Sequence, residues 1–185
     1  RLAFTAMGGL YLYDLESGSL TTLLDFAENA GTASISVSML NGAAFAQANS
    51  QIVFYGSGQS IPAVDGEDSF SIYGSIALDG SGLKLTKPSG YDMEEMQSSV
   101  SRLFFPQTFT QANGTLLWLD RATGSANTLS FSASGEGKDG VYGSEQGNYV
   151  ATAVLGSNLT VRVYDVASGE LVATEVIENS DPTYF

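Results

Sequence analysis

Residues 159–177 read LTVRVYDVASGELVATEVI. Two runs rich in β-branched and aliphatic residues flank a short link, Asp165-Val166-Ala167-Ser168-Gly169. An aspartate at a turn start can accept backbone N–H bonds from the residues that follow it. A glycine a few residues on can take the left-handed conformation that a bulged hairpin loop requires. The stretch therefore predicts a β-hairpin. The same spacing recurs in 10–24 (LYLYDLESGSLTTLL) with Asp14, Ser17 and Gly18, and in 116–131 (LLWLDRATGSANTLSF) with Asp120, Thr123 and Gly124. A looser copy lies in 71–86 (SIYGSIALDGSGLKLT), around Asp79. Metal ligation by these aspartates is the alternative reading, but each sits where a turn cap belongs.

The hairpin aspartates fall at 14, 79, 120 and 165, unevenly spaced but always about one propeller blade apart. Units of that size with three or four short strands each are the mark of a β-propeller. The expected fold is all-β, a propeller of about four blades of three to four antiparallel strands. It could be a closed small ring or part of a larger propeller. A β-sandwich is the rival architecture. One propeller-like domain, 1–185, is expected, with repeat units near 1–33, 34–87, 88–131 and 132–185. Leu10, Tyr11, Leu12 and Tyr13 run consecutively, as in a sheet covered on both faces.

Individual strands follow from pattern. Residues 2–6 read as a strand, and 34–39 alternate serine with Ile35, Val37 and Met39. Residues 43–46 read as a separate short strand, followed by a turn at Ala48-Asn49-Ser50 and a strong strand at 51–58. Residues 102–110 read as a strand with Phe104, Phe105 and Phe109, in which Pro106 argues for an edge position or a bulge. Residues 91–97 (YDMEEMQ) are the one helix-like stretch. A lone Trp118 between leucines suits the core, with lining of a ligand site as its alternative. Residues 182–185 look like the start of another unit.

Composition narrows function. Among 185 residues there are 7 basic and 20 acidic ones, a net charge of −13, which disfavours nucleic acid and anionic membrane surfaces as partners. There is no His and no Cys, so imidazole triads, thiol catalysis, disulfides and Cys/His zinc sites are all excluded. No apolar run is long enough to span a membrane as a helix, and no signal peptide is apparent. The chain begins at Arg1, which reads as a processed product or a piece of something longer.

The segments 51–57 (QIVFYGS), Ile72-Tyr73 and 78–86 (LDGSGLKLT) resemble one TolB-like (WD40-like) β-propeller repeat. Residues 1–5 with 10–14 resemble the same repeat. Where that family usually has Pro-Asp-Gly, the second unit has Ala48-Asn49-Ser50. The resemblance implies a propeller that contacts a protein partner through loops on one face or the central channel.

The loops best placed for binding are 59–69, with Pro62, Asp65, Glu67 and Asp68, and 132–140, with Glu136, Lys138 and Asp139. Taken alone, each loop reads first as a solvated connection. Asp65, Glu67 and Asp68 could supply oxygen ligands to Ca²⁺, the one cofactor considered, though their spacing is not that of an EF-hand. Glu67/Asp68 and Glu94/Glu95 are the carboxylate pairs available for glycoside chemistry, but neighbours in sequence usually point apart. Asn113 and Asn158 head glycosylation acceptor triplets. The function expected is a non-catalytic binding or scaffold propeller, extracytoplasmic, with a protein partner. The alternatives are an accessory propeller of a hydrolase and a self-assembling surface protein, and a homo-oligomer stays open.

Overall fold

The computed structural model describes residues 1–6, 8–28, 31–88, 96–106, 114–131 and 140–178. They form four separate antiparallel sheets, each a meander in chain order. The first contains β1 (Leu2–Ala6), β2 (Gly9–Tyr13) and β3 (Leu20–Asp25). The second contains β4 (Ile35–Ala46), β5 (Gln51–Ser60), β6 (Phe70–Ala77) and β7 (Lys84–Thr86). The third contains β8 (Gln97–Ser98), β9 (Arg102–Phe105), β10 (Thr115–Asp120) and β11 (Ala126–Ser130). The fourth contains β12 (Val141–Gly143), β13 (Tyr149–Leu155), β14 (Leu159–Asp165) and β15 (Leu171–Ile177). This is a propeller-type fold of four three- to four-stranded sheets, and each sheet lies within one sequence repeat. A sandwich would need its strands shared between two sheets, so that alternative fails.

The recurring turn has one construction. The Asp14 and Asp165 N–H groups donate to the Ser19 and Glu170 carbonyls, and Gly18 and Gly169 donate back to the two Asp carbonyls, all at 2.9 Å. Asp120 donates likewise to the Ser125 carbonyl at 3.0 Å. Gly18, Gly124 and Gly169 have φ of 68°, 72° and 75°, where a Cβ would be strained. The looser copy closes differently, with Ala77 N–H donating to the Ser81 carbonyl and Gly80 and Gly82 both left-handed.

Two compact units make up the chain. The first is Arg1–Glu95 with Arg121–Gly124. Its core packs Leu10, Leu12, Leu23 and Leu24 of the first sheet against Ile52, Phe54, Ile72 and Ile76 of the second. Full burial of each such side chain stabilises by about 1.5–3 kcal/mol. β5 is buried on both faces from Ile52 to Tyr55, as expected of a covered sheet. On β2 only Leu10 and Leu12 are buried with Gly9, whereas Tyr11 is half-buried and stacks on Phe4, ring centroids 5.6 Å apart.

The second unit is Met96–Asp120 with Ser125–Phe185. Phe104, Leu116 and Leu129 of the third sheet meet Val141, Val150 and Tyr164 of the fourth. Polar bonds zip the two sheets at one end. Gln97 donates through Nε2 to the Val141 carbonyl and accepts through Oε1 from Gly143 N–H. Ser99 Oγ donates to the Ser144 carbonyl at 2.6 Å, and Val100 N–H to the Glu145 carbonyl at 2.9 Å.

Three strand readings need correction. β4 is one twelve-residue strand where the pattern suggests two, because register shifts between Val37 and Met39 and between Leu40 and Gly42 break the alternation. β5 runs to Ser60, paired with Ile35, so the following loop is 61–69 rather than 59–69. β9 ends at Phe105 and pairs with both β8 and β10. Pro106 therefore marks neither an edge nor a bulge: it falls just past the last rung, where its missing N–H breaks no ladder bond. Phe109, most of the helix-like 91–97 stretch and 182–185 lie outside the described residues.

Candidate functional site

The turn aspartates are spent on structure. Asp14 Oδ1 accepts the Glu16 and Ser17 N–H groups, both at 3.0 Å, while its Oδ2 accepts Arg1 Nε at 3.0 Å. Asp165 Oδ1 accepts the Ala167 and Ser168 N–H groups at 2.9 Å. Asp79 Oδ1 accepts both the N–H and the hydroxyl of Ser81. These bonds favour the ionised form. The Ser17 N–H, then Arg1 and the Glu16 N–H, hold Asp14 down from 3.8 to about 2. Asp165 is lowered chiefly by the Ser168 N–H, and Asp79 chiefly by the Ser81 hydroxyl. A carboxyl so held is a poor general acid at neutral pH.

The expected binding loop 61–69 stands largely exposed. It opens at the cis Ile61–Pro62 bond and turns at Gly66, with Glu67 N–H donating to the Val64 carbonyl. Pro62, Asp65 and Asp68 are exposed. Ile61 and Val64 are also exposed, at 44% and 57%. Glu67 is not free to act with its neighbours. Its Oε1 accepts Lys87 Nζ at 2.6 Å, and that ammonium also lies 3.8 Å from the centre of the Phe70 ring. Lys87, followed by the Ser60 hydroxyl, lowers the Glu67 pKa. Among the described residues no group of three or more Asp or Glu is arranged to hold a metal ion. Glu136, Lys138 and Asp139, Glu94 and Glu95, and Asn113 lie outside the described residues. Asn158 falls in the link between β13 and β14, immediately before Leu159 opens β14.

The structure brings together a different set. An open groove of about 500 Å³ lies in the second unit. It is lined by β11 from Asn127 to Ser130, by the fourth hairpin's turn from Val166 to Gly169 and by Trp118. Leu129 and Val166 are buried in the core beneath. Trp118, paired with Asn127 across the ladder, is half-buried: it packs against that core and also lines the groove.

Behind the indole stands Arg102, its guanidinium 4.8 Å from the ring centre. Arg102 Nη1 is tied to the Gly147 carbonyl at 2.5 Å and to Asn148 Oδ1 at 3.3 Å. The indole Nε1 and Arg102 Nε are buried without an acceptor among the described residues. Among the described residues no ionisable side chain lines the groove. It offers an aromatic edge, a side-chain amide, hydroxyls and backbone. That inventory can hold a neutral polar ligand.

Sequence reasoning missed the groove because its two lining segments, Asn127–Ser130 and Val166–Gly169, lie far apart in the chain. The available signal was the registered turn itself: repeated hairpins put the link of one unit beside the outer strand of another.

No protein-family model matches the sequence, and no curated protein is found similar to it. Solved structures do resemble it in fold. TolB from Acinetobacter baumannii matches at a TM-score of 0.52 and 19% identity, over 97% of this chain and 41% of that one. The hydrazine synthase of Kuenenia stuttgartiensis matches at 0.52 and 13%, over 92% and 44%. The dihydro-heme d1 dehydrogenase NirN matches at 0.51 and 17%, over 95% and 34%. The chain thus spans less than half the length of these proteins. At such identities the likeness is one of fold, and it agrees with the propeller architecture.

Proposed function

We propose that this chain is a non-catalytic binding propeller whose ligand site is the Trp118 groove. One observation carries the reading: the groove has an indole and polar lining with no ionisable side chain among the described residues, in a chain of net charge −13. Among the described carboxylates, Asp14 and Asp165 are committed to turns and Glu67 to Lys87. The partner class is protein, with loop 61–69 as a second contact surface through exposed Ile61, Pro62 and Val64. The setting proposed is extracytoplasmic, where a chain without thiols has nothing to oxidise.

The test is a panel of capped neutral peptides and neutral oligosaccharides, read by Trp118 emission and by melting temperature. Trp118 is the sole tryptophan, so emission reports the groove directly. At least one class should shift both readouts, since a ligand that binds the folded state stabilises it. A panel that moves neither refutes the reading. Turnover of any oligosaccharide would refute the non-catalytic part.

A further inference from the structure

The groove's long wall is a strand edge. β11 is the outermost strand of its sheet and pairs only with β10 among the described residues. Two bonds bracket the register: Asp120 N–H donates to the Ser125 carbonyl, and Phe131 N–H to the Gly114 carbonyl. Antiparallel rungs alternate, so Ser125, Asn127 and Leu129 direct their backbone groups toward β10. The N–H and C=O groups of Ala126, Thr128 and Ser130 then point off the edge. Ala126, Asn127, Thr128 and Ser130 are all exposed.

Such edges are usually guarded by charge, proline or a cover. The corresponding strand after each of the other turns carries a charged residue: Asp25 on β3, Lys84 on β7 and Glu175 on β15. β11, reading ANTLS, has neither charge nor proline. β11 also lines a groove, together with Trp118 and Val166–Gly169.

Resting on the groove as the binding site, we propose that β11 takes up an extended, uncharged peptide segment as an added strand. The ligand's backbone bonds to Thr128 and Ser130, which repeat at about 6.8 Å, twice the rise per residue of a strand. Alternate ligand side chains face the Trp118 and Leu129 side of the groove and are small and apolar. The others face solvent. Acidic segments are disfavoured by the chain's own negative field.

The experiment uses the full chain and a capped seven-residue peptide of alternating valine and threonine. Two further peptides carry N-methyl groups on every second amide, one on the odd residues and one on the even. Strand addition predicts that one methylated isomer loses binding at least ten-fold while the other, whose methyl groups point away, keeps it. On the protein, Thr128→Pro removes an N–H that β10 does not use. It should leave the melting temperature within about 3 °C and abolish the Trp118 response. Should that variant melt early, the two methylated isomers decide the matter on the wild type.

Equal binding of both isomers overturns the proposal, as does an undiminished response in folded Thr128→Pro. A response to cellohexaose but not to the peptide overturns strand addition while leaving the groove a binding site. Silence toward both removes the groove reading as well.

Discussion

Gly143 opens the packing between the third and fourth sheets to a quantitative test. It lies on β12, and a Cβ built there would sit 2.5 Å from Cδ2 and Cε2 of Phe104 and 3.1 Å from Ser99 Oγ. Ordinary carbon contacts begin near 3.5 Å, so Gly143→Ala asks the Phe104 ring to retreat by about 1 Å. The ring is fully buried and has nowhere to go. Overpacking of this kind costs about 1–3 kcal/mol. For a chain of this size that lowers the melting temperature by about 2–12 °C. Phe104→Leu alone shrinks a buried side chain and also destabilises.

Together the two changes should partly cancel, since the smaller side chain vacates the space the new methyl needs. A thermal double-mutant cycle should show coupling of at least about 1 kcal/mol in the direction of relief. Simple additivity would mean that Gly143 does not rest on Phe104, and the sheet-on-sheet contact drawn above would be wrong.

The Asp14 carboxylate gives a pH prediction. Its folded pKa lies near 2, below the ordinary 3.8, so its contribution is present above about pH 4 and is lost as pH falls toward 2. The melting gap between wild type and Asp14→Asn should therefore close over that interval, and a gap independent of pH would refute the assignment. Arg102→Ala should cost about 1.5–3 kcal/mol through the bond to the Gly147 carbonyl, read as a lower unfolding midpoint. It should also expose Trp118 and shift its emission to the red; unchanged emission would refute the stacking. Deleting 61–67 should leave the melting temperature within a few degrees because the loop is mostly exposed. A large loss would show that the loop supports the fold rather than presenting a surface.

Much of the fold was legible because its signals are local. The Asp-x-x-Ser-Gly spacing states the turn, and the glycine dihedrals and Asp bonds repeat that chemistry atom by atom. The strands flanking each turn followed from it. Misreadings arose where pairing overrides pattern. β4 keeps one ladder through two register shifts, so its side-chain alternation resets while its backbone does not.

The site was less legible for a similar reason. Pro62, Asp65, Glu67 and Asp68 attracted notice by polarity and loop length. What decides Glu67 is Lys87, twenty residues away, and nothing in the local sequence announces that pair. Trp118 could be read as core because its neighbours are leucines. It shares the groove lining with the turn at Val166–Gly169, which comes beside it only in the folded chain.

The claim on which strand addition rests is that β11 offers a free backbone edge to the groove. Residue-resolved amide exchange of the unliganded chain reads it directly. Asn127 and Leu129 should exchange slowly and Ala126, Thr128 and Ser130 fast, with the valine–threonine peptide slowing Thr128 and Ser130. Uniform protection along 126–130 without ligand would show the edge already covered and would contradict the account.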